Sequence, residues 1–409
     1  MRDENFGIKK TLLFLFFLIF SFQPVAVADD SDIKISGYIK NFFLLTDSDD
    51  DTTPEGLSRL RVRLDYMPSE STSFEFSYEL IPRLREDDVR FFRQLLPTRA
   101  VLSYRAFDLD EMIYPDDRDS ASDFVLFQNL DRAYLTVSTD TLDISLGRQP
   151  VAFGSAHVIS PTDIIAPFTY NTIAKEELIG VDAVRVKTPL ADMGELDFGL
   201  VFGEDFEPDK SAAFVRLKTY QHQTDITFIA MVFRENILLG VDITRSVGGA
   251  GTWFEAAQTL ANITSRYTSE ENYFRLSIGA DYSLTSELYA FIEYHYSGAG
   301  SGNPEDYFKH IKETAFTDGA VYLLGRHYLS PGFSYEITPI LLFHGQALIN
   351  VEDGSALVSP GFEYSVAQDV FLELRAYVGV GQGSSQPLRP DSEFGLYPDT
   401  YYGALNFYF

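Results

Sequence analysis

Three pairs of cationic residues recur along the chain, and in each pair one residue separates the two cations. They are Arg61 and Arg63, Arg185 and Lys187, and Arg216 and Lys218. On a β-strand, side chains two residues apart point to the same face, about 7 Å from each other. Stacked cations repel each other and attract anionic groups. The spacing predicts a ladder that guides anions; the alternative is that neighbouring acids pair with these cations in a wet interior.

Catalysis and metal binding find little support in the residue types. The chain has no Cys, which excludes disulfides, thiolate metal sites, cysteine catalysis and covalently attached haem. Its six His residues stand at positions 157, 222, 295, 310, 327 and 344, without metal-ligand spacing. We therefore expect no enzyme, no cofactor and no metal site.

The charge balance excludes another class of partner. The formal net charge is −28, whereas a nucleic-acid-binding protein needs a basic footprint for the phosphate backbone. Acidic runs at 47–51 (DSDDD) and 115–123 (PDDRDSASD) offer oxygen atoms of the kind that Ca²⁺ prefers. Their spacing is not that of an EF-hand, and solvated loop surface is the favoured interpretation.

The first 28 residues have the pattern of a cleaved signal peptide. Lys9 and Lys10 precede an apolar run from Leu12 to Phe22, and Ala26-Val27-Ala28 is a small-x-small cleavage signature. We expect export, with a single mature domain at 29–409.

The elements that position the cations are strands. Apolar and polar residues alternate in RLRVRLDY (59–66), SFEFSYEL (73–80), AFVRLKTY (213–220), FRLSIGADY (274–282) and GFEYSV (361–366). Aromatic residues make up 15% of the chain, and nearly every strand carries a long apolar face. One cylinder that faces lipid explains this pattern better than a soluble β-sandwich or propeller.

The connections alternate between short and long. Short turns are expected at 68–71, 139–141, 191–194, 222–224, 248–251, 285–287, 338–339 and 367–369. Most of the connections between them are longer, the main ones being 83–125, 155–179, 299–327 and 383–398, with lesser ones at 47–56, 205–210 and 263–272. Periplasmic turns and extracellular loops alternate in this way. The chain is therefore predicted to be an all-β, antiparallel, up-and-down transmembrane barrel of about eighteen strands with periplasmic termini.

Alternation also predicts which charged residues line the pore. On the first eight strands these are mainly basic: Arg61, Arg63, Arg132, Arg185, Lys187, Arg216 and Lys218. On the remaining strands they are mainly acidic: Asp242, Asp281, Glu293, Glu336, Glu363 and Glu373. Because the two halves of a barrel face each other, we expect an electric field across the pore.

The chain ends on an aromatic strand, TYYGALNFYF. Its outward face, which includes Phe407 and Phe409, is expected to meet lipid while the strand pairs with the first one. A terminal Phe on an alternating last strand also resembles the signal that the outer-membrane assembly machinery recognises.

One segment resembles a known kind of barrel. LDISLGRQPVAFGSAHVISPTDIIAPF (142–168) is similar to a segment of proteobacterial outer-membrane porins, as in the alginate-export and substrate-selective porin families. There, a strand that ends in Gly-Arg-Gln and a following Gly lead into a long loop; Gly147, Arg148, Gln149 and Gly154 match. The next residues, Ser155-Ala156-His157, differ from the Asp-Gln-Arg of the alginate-export pattern.

Arg148 lies on the apolar phase of its strand, where lipid contact would be costly. Either a bulge near Pro150 rotates its side chain inward, or Arg148 lies above the membrane band.

The functional expectation is an outer-membrane porin for passive diffusion of small hydrophilic solutes or an anionic saccharide. Its partners would be outer-membrane lipid, lipopolysaccharide and the assembly machinery. Loop 83–125 has an Arg-rich first half that could fold inward as a constriction or contact lipopolysaccharide outside. The alternative function is a barrel sheath around a separate multihaem cytochrome, because this chain has no haem motif of its own.

Overall fold

Eighteen antiparallel strands pair in chain order and close into a barrel in the computed structural model. The structure describes residues 32–48, 51–85, 104–115, 123–167, 178–190, 193–263, 272–384 and 389–409. The predicted signal peptide lies outside the described residues. So do most of the acidic run 115–123 and of the Arg-rich half of loop 83–125.

The strands of the first half are β1 Ile33–Ser48, β2 Asp51–Ser69, β3 Thr72–Arg85, β4 Phe124–Ser138, β5 Asp143–Pro150, β6 Gly180–Leu190, β7 Gly194–Val201, β8 Ala212–Gln221 and β9 Thr224–Phe233. Those of the second half are β10 Asn236–Val247, β11 Ala250–Leu260, β12 Tyr273–Ser283, β13 Leu288–Ser297, β14 His327–Thr338, β15 Leu341–Asn350, β16 Ala356–Ala367, β17 Val370–Val380 and β18 Asp399–Tyr408. A further short strand, Met112–Tyr114, pairs with β4.

The barrel closes between its two terminal strands, as predicted. β1 and β18 pair from Tyr38 opposite Tyr408 to Asp47 opposite Asp399. Beyond that ladder, the Phe409 N–H donates to the Gly37 carbonyl at 3.0 Å, and the Gly37 N–H donates to the Phe409 carbonyl at 2.8 Å. The last strand thus supplies the partner that an edge strand would otherwise lack.

One predicted connection lies within a strand pair. β2 begins at Asp51, inside the predicted connection 47–56, and β1 and β2 pair up to Ser48 opposite Asp51. The predicted connection 47–56 is therefore wrong. Above the lipid band a strand needs no apolar face, so polar residues continue this ladder without the alternation that marks the membrane part.

Helical segments are short and lie in the connections on the long-loop side. They are the 3₁₀ turns Glu204–Phe206, Pro208–Lys210, Pro304–Asp306 and Phe394–Leu396, and the α-helices α1 Tyr307–His310 and α2 Thr314–Thr317. Among the described residues, no helix has the length and apolar character to cross a membrane.

The outward and inward faces of the strands differ in side-chain exposure, as the alternation predicts. Val62, Phe74 and Phe76 are exposed on the outside, whereas the inward-facing Arg61 and Glu79 are buried. The last strand behaves in the same way, since Tyr401 is exposed and Tyr402 is buried.

Segments from three long connections lie inside the barrel at its long-loop end. We call residues 151–167 the lumen loop; residues 298–326 and 389–397 are the second and third lumen segments. Val151, Phe153, Ile164 and Ile165 of the lumen loop pack in one apolar cluster with inward-facing residues of β6 to β11. Leu323 and Phe394, from the second and third segments, join a cluster on β1 and β14 to β18.

Candidate functional site

Glu255 on β11 holds the lumen loop by its backbone and hydroxyl groups. Its carboxylate accepts N–H bonds from Ser155 (3.2 Å), Ala156 (3.0 Å) and Thr162 (2.8 Å). It also accepts the hydroxyls of Ser160 and Thr162, both at 2.6 Å. Glu255 is 0% exposed. These five bonds replace the water that the carboxylate loses on burial.

Glu293 on β13 binds the next part of the same loop. Its carboxylate accepts the N–H groups of His157 (2.8 Å), Val158 (3.3 Å) and Ile159 (3.0 Å). The indole Nε1–H of Trp253 donates to it at 2.9 Å. Glu255 and Glu293 thus engage almost every donor of the loop between residues 155 and 162.

The strand between these two glutamates binds the carbonyl groups of the loop. The Ser277 hydroxyl donates to the Ile159 carbonyl at 2.6 Å, and Nη2 of Arg275 donates to the Ser160 carbonyl at 2.5 Å. Nη1 of Arg275 reaches the second lumen segment, at the Gly319 carbonyl, 3.0 Å away. β11, β12 and β13 therefore form an anchoring wall with an ordered set of acceptors and donors.

Gly154 is the residue that lets the loop approach this wall. Its φ is +87°, and a Cβ atom there would lie 2.4 Å and 2.5 Å from the two carboxylate oxygens of Glu255. Any side chain would therefore displace Glu255 from the loop. The glycine that the sequence motif singles out thus has a structural reason.

The opposite flank of the lumen loop packs against apolar groups. The ring of Phe153 lies 4.9 Å from that of Phe214 on β8, with the planes at 72°. Met231 and Ile229 on β9 are buried in the same cluster. The loop consequently lies along the inner wall from β6 to β13 and narrows the lumen.

The cations predicted to line the pore face inward with acidic neighbours. Arg185 binds Asp197 through two bonds, Nε to Oδ1 at 2.9 Å and Nη2 to Oδ2 at 2.6 Å. Arg216 lies 3.2 Å from the same carboxylate and also bonds Glu195.

Three further predicted cations lie on inward phases, and two of them pair with acids. Lys218 is 3.1 Å from Asp225. Arg63 is 3.0 Å from Asp65 and 3.1 Å from Glu75. Lys187 lies on the same inward face of β6 and is partly buried.

Arg61 and Arg132 belong to a buried cluster that depends on a bulge. Arg61 lies 3.0 Å from Glu79 and 2.8 Å from Asp131, and Arg132 lies 3.6 Å from Asp131. The β3–β4 register shifts so that Ser77 faces Arg132 while Tyr78 faces Leu130, leaving Asp131 as the extra residue. The bulge turns Asp131 inward, where simple alternation places it outward.

Five of the six predicted acidic residues fall into three groups. Asp242 and Glu293 contact the lumen loop, Asp242 by accepting the Ser155 hydroxyl. Glu373 accepts the Tyr402 hydroxyl at 2.8 Å and lies 3.2 Å from Arg375. Glu336 and Glu363 are exposed near the short-turn end of their strands.

Asp281, the sixth predicted acid, lies beside a cluster of aromatic side chains that contacts the lumen loop. Its Oδ2 lies 3.8 Å from Nε2 of His157, whose ring stacks on Trp253 at 4.0 Å. Phe291 contacts the same imidazole edge-on at 5.8 Å. Burial lowers the pKa of His157, although Asp281 opposes the shift, so the ring is neutral at neutral pH.

Arg148 keeps its outward phase, and a neighbouring loop covers it. The β5–β6 register runs without a shift from Asp143 to Pro150, so no bulge rotates Arg148 inward. Its guanidinium lies 2.8 Å from Asp182 and 2.9 Å from Asp108, near the long-loop end of the strand. Burial alone would raise the pKa of Asp108, but Arg105 and Arg148 hold it below its usual value. The position near the loops agrees with the second of the two expectations for Arg148.

The other motif residues support this strand end. Gln149 faces inward and donates from Nε2 to the Ala183 carbonyl at 3.1 Å. Gly147 has a φ of +116°, and a Cβ there would lie 2.3 Å from the Ala133 carbonyl oxygen.

The third lumen segment carries a buried carboxyl group of its own. Glu393 accepts the N–H of Leu324 at 2.8 Å, Nδ2 of Asn350 at 2.8 Å and the Tyr328 hydroxyl at 2.5 Å. Burial raises the pKa of Glu393 to about 7, although these hydrogen bonds oppose the shift. The second and third lumen segments are therefore joined by a group that titrates near neutrality.

Sequence reasoning missed Glu255, Asp131 and Glu393. Glu255 is the single charged residue in the strand AGTWFEAAQTL (250–260), which was a usable signal. The bulge at Asp131 and the folding of Glu393 into the lumen leave no local pattern. Within the described residues, no group of three His, Asp or Glu side chains is placed to hold a metal ion.

Comparison with known proteins shows the fold. No family model and no curated protein matches the sequence. The structure is similar to that of the outer membrane protein OprD from Pseudomonas aeruginosa, with a TM-score of 0.57 and 10% identity over 93% of this chain and 94% of that one. It is also similar to OccAB2 of Acinetobacter baumannii, with a TM-score of 0.57 and 7% identity over 94% and 99% of the two chains.

A third similar structure is OccK8 (OprE) of Pseudomonas aeruginosa, with a TM-score of 0.56 and 10% identity over 92% of this chain and 98% of that one. The closed barrel of this chain matches the OprD and Occ porin folds. At these identities the similarities show the fold, and they do not support the alginate-export family.

Proposed function

We propose that this protein is an outer-membrane channel through which small hydrophilic solutes, including anionic ones and short saccharides, diffuse passively. The observation that carries the proposal is the anchored lumen loop inside a closed barrel. Glu255 and Glu293 hold the loop against β11 and β13, which narrows the lumen, while cations of β2 and β8 keep exposed side chains. A narrowed, charged and wet passage is what selective diffusion requires.

The exposed cations of β2 and β8 favour anionic solutes in this proposal. Arg63 and Lys218 have side chains that are 43% and 41% exposed, and both lie on inward phases of their strands. Their acidic neighbours reduce the local charge, so each contact with a passing anion is weak and reversible. Weak, repeated contacts allow a solute to enter and also to leave.

The sheath function gains no support from this geometry. A cytochrome inserted through the barrel would occupy the space beside β11 to β13, where the chain's own lumen loop is bound. The proposal therefore keeps the channel and assigns no haem partner.

Liposome swelling tests the proposal directly. Purified protein is reconstituted into liposomes, which are diluted into isotonic solutions of a neutral disaccharide, a monosaccharide or the sodium salt of a sugar acid. We expect swelling that becomes faster as the solute becomes smaller, and entry of the sugar acid that slows at high salt. Liposomes that swell no faster than protein-free controls with any solute would refute the channel.

A further inference from the structure

Three aromatic side chains meet on the anchoring wall, between the lumen loop and the short turns. Trp253 on β11 and Phe291 on β13 share the inward phase of Glu255 and Glu293, which lie two residues further along the same strands. His157 of the lumen loop contacts both rings. Its imidazole stacks on Trp253 at 4.0 Å, with the planes 23° apart, and meets Phe291 edge-on at 5.8 Å. We call these three side chains the ring cluster.

Glycines on the neighbouring strands give the two wall rings their room. Trp253 lies opposite Gly279, where a Cβ atom would clash with the indole. Phe291 lies opposite Gly332, where a Cβ atom would clash with the phenyl ring. Each ring therefore occupies the space above the next strand. The imidazole of His157, which packs against both, has a fixed position.

The ring cluster is open to the lumen at His157. The side chain of His157 is 38% exposed and that of the neighbouring Asp281 is 24% exposed. Trp253, beneath the imidazole, is only 4% exposed. Because the indole covers one face of the imidazole, a solute in the lumen meets the other face and the edge.

A donor and an acceptor lie side by side at that edge. Nε2 of His157 is 3.8 Å from Oδ2 of Asp281, which is too far for a direct hydrogen bond. The imidazole is neutral, and the carboxylate beside Nε2 favours the tautomer that carries the proton there. The Gly251 N–H, which donates to Oδ1 at 3.2 Å, and the Tyr289 hydroxyl orient the carboxylate. The gap has room for one oxygen atom that accepts from Nε2 and donates to Oδ2.

We infer that this site binds a pyranose ring of a neutral saccharide. The C–H face of a pyranose packs on an aromatic ring, while its rim carries hydroxyl groups that both donate and accept. One such hydroxyl fits between Nε2 of His157 and Oδ2 of Asp281. An ammonium or guanidinium group has donors only and would face the Nε2–H, whereas an anion would face the Asp281 carboxylate.

The inference rests on the proposed function, because it names a solute class and the place where the passage holds it. His157 lies on the segment of the lumen loop that Glu293 anchors, so a saccharide bound there lies at the narrowed part of the lumen. A single stacked ring and one bridging hydroxyl bind weakly, which lets the solute leave again.

The single Trp of the chain reports on binding, because the imidazole stacks on it. Methyl β-D-glucopyranoside, whose ring cannot open, is titrated into the purified protein in detergent while Trp253 emission is recorded. Sorbitol is the matched solute, because it is an open-chain hexitol of similar size without a ring face. We expect a saturable change with the glucoside and only a linear solvent effect with sorbitol.

Replacing the carboxylate tests the polar edge. Asp281→Asn turns one carboxylate oxygen into an amide nitrogen and should weaken glucoside binding roughly tenfold, the effect of losing one hydrogen bond to a charged group. Asp140→Asn changes an exposed acid on a short turn and should bind the glucoside as the wild type does.

Removing the imidazole tests the stacking face. His157→Ala keeps the backbone N–H that Glu293 accepts, so the lumen loop stays anchored. Because this variant also changes the surroundings of Trp253, the readout is the fall in single-channel current that the glucoside causes, which should disappear. His310→Ala removes a similarly exposed ring from the second lumen segment and should leave that fall in current unchanged.

The inference is overturned by an equal response to the glucoside and sorbitol, by equal binding in Asp281→Asn and Asp140→Asn, or by a fall in current that persists in His157→Ala. Tighter binding of L-lysine than of the glucoside would also overturn it and would assign the site to organic cations. Conductance separates this inference from the proposed function. A preparation that conducts ions but does not bind the glucoside refutes the saccharide site alone, and one that binds the glucoside but does not conduct refutes the channel alone.

Discussion

Individual carboxylates decide how this lumen is filled. Glu255 and Glu293 accept backbone N–H groups of the lumen loop, a use of buried acids for which the sequence offers only the isolation of Glu255 in an otherwise uncharged strand. The sequence predicted Glu293 as an inward acid from alternation, but the loop that binds it comes from residues more than 130 positions away. Such long-range pairing is a property of the closed barrel and cannot be inferred from strand periodicity.

Replacing Glu255 tests whether this single carboxylate holds the lumen loop in place. Glu255→Gln keeps the shape but turns one acceptor oxygen into an amide that faces the loop's own N–H groups, and each donor left unpaired costs about 1–3 kcal/mol. We expect a noisier and higher single-channel conductance as the loop loosens. Glu336→Gln, an exposed acid near the short-turn end, is the matched control. Identical current traces for the wild type and Glu255→Gln would contradict the role of Glu255 in holding the lumen loop.

The raised pKa of Glu393 predicts that the stability of the third lumen segment depends on pH. Its pKa of about 7 lies above the ordinary value of 4.5, because burial and the nearby Asp353 favour the protonated form, although the hydrogen bonds from Tyr328, Leu324 and Asn350 oppose the shift. The protonated form therefore stabilises the third lumen segment fully below pH 4.5, and this contribution is lost as the pH rises through 7. Hydrogen exchange in peptides covering 389–397, corrected for the intrinsic rate, should quicken between pH 5 and 8.5.

Two variants check the assignment to Glu393. Glu393→Gln should flatten the pH dependence, whereas Glu207→Gln, on an exposed loop, should keep it. A pH dependence that survives in Glu393→Gln would assign it to another group.

At the scale of elements, alternation predicts the strands well because lipid outside and water inside impose opposite polarity on successive residues. The prediction is weaker where that constraint ends. Residues 51–56 continue β2 above the lipid with polar side chains, and the bulge at Asp131 changes which face each residue meets. The lumen loop obeys neither pattern, so the sequence motif marks Gly154, where the loop meets Glu255, but not the loop's inward path.

The cation ladder on β6 and β8 is an element-scale prediction. Replacing Arg185, Lys187, Arg216 and Lys218 with Gln leaves Asp197, whose side chain is 0% exposed, without its two arginine neighbours. We expect the reversal potential to shift toward cation selectivity, most clearly at low ionic strength, where screening is weakest.

A second variant, which also lacks the acids that pair with these cations, distinguishes guidance of ions by the ladder from pairing within the wall. Adding Glu195→Gln, Asp197→Asn and Asp225→Asn removes the paired acids and should restore most of the original selectivity. If the fourfold variant alone keeps the wild-type reversal potential at low salt, the ladder does not guide ions and pairing with neighbours accounts for the charges.

For the whole molecule, closure depends on the last residues of the chain. Phe409 exchanges two backbone hydrogen bonds with Gly37 and exposes its ring on the outer face. Deleting Phe409, or replacing it with Asp, should lower the amount of assembled barrel while export continues. Heat-modifiable mobility of outer-membrane fractions measures this, and Tyr401→Asp, on the same face at the far end of β18, serves as the positional control. Normal amounts of heat-modifiable barrel without Phe409 would contradict this role.

The central claim is that a closed, water-filled barrel is narrowed by its own lumen loop. Single-channel recording in planar bilayers compares the wild type with a variant in which residues 155–163 are replaced by a short Gly-Ser linker. The account predicts discrete ohmic steps for the wild type and a several-fold larger conductance for the variant, because the loop no longer occupies the wall from β6 to β13. A silent wild type, or equal conductance in both proteins, would contradict it.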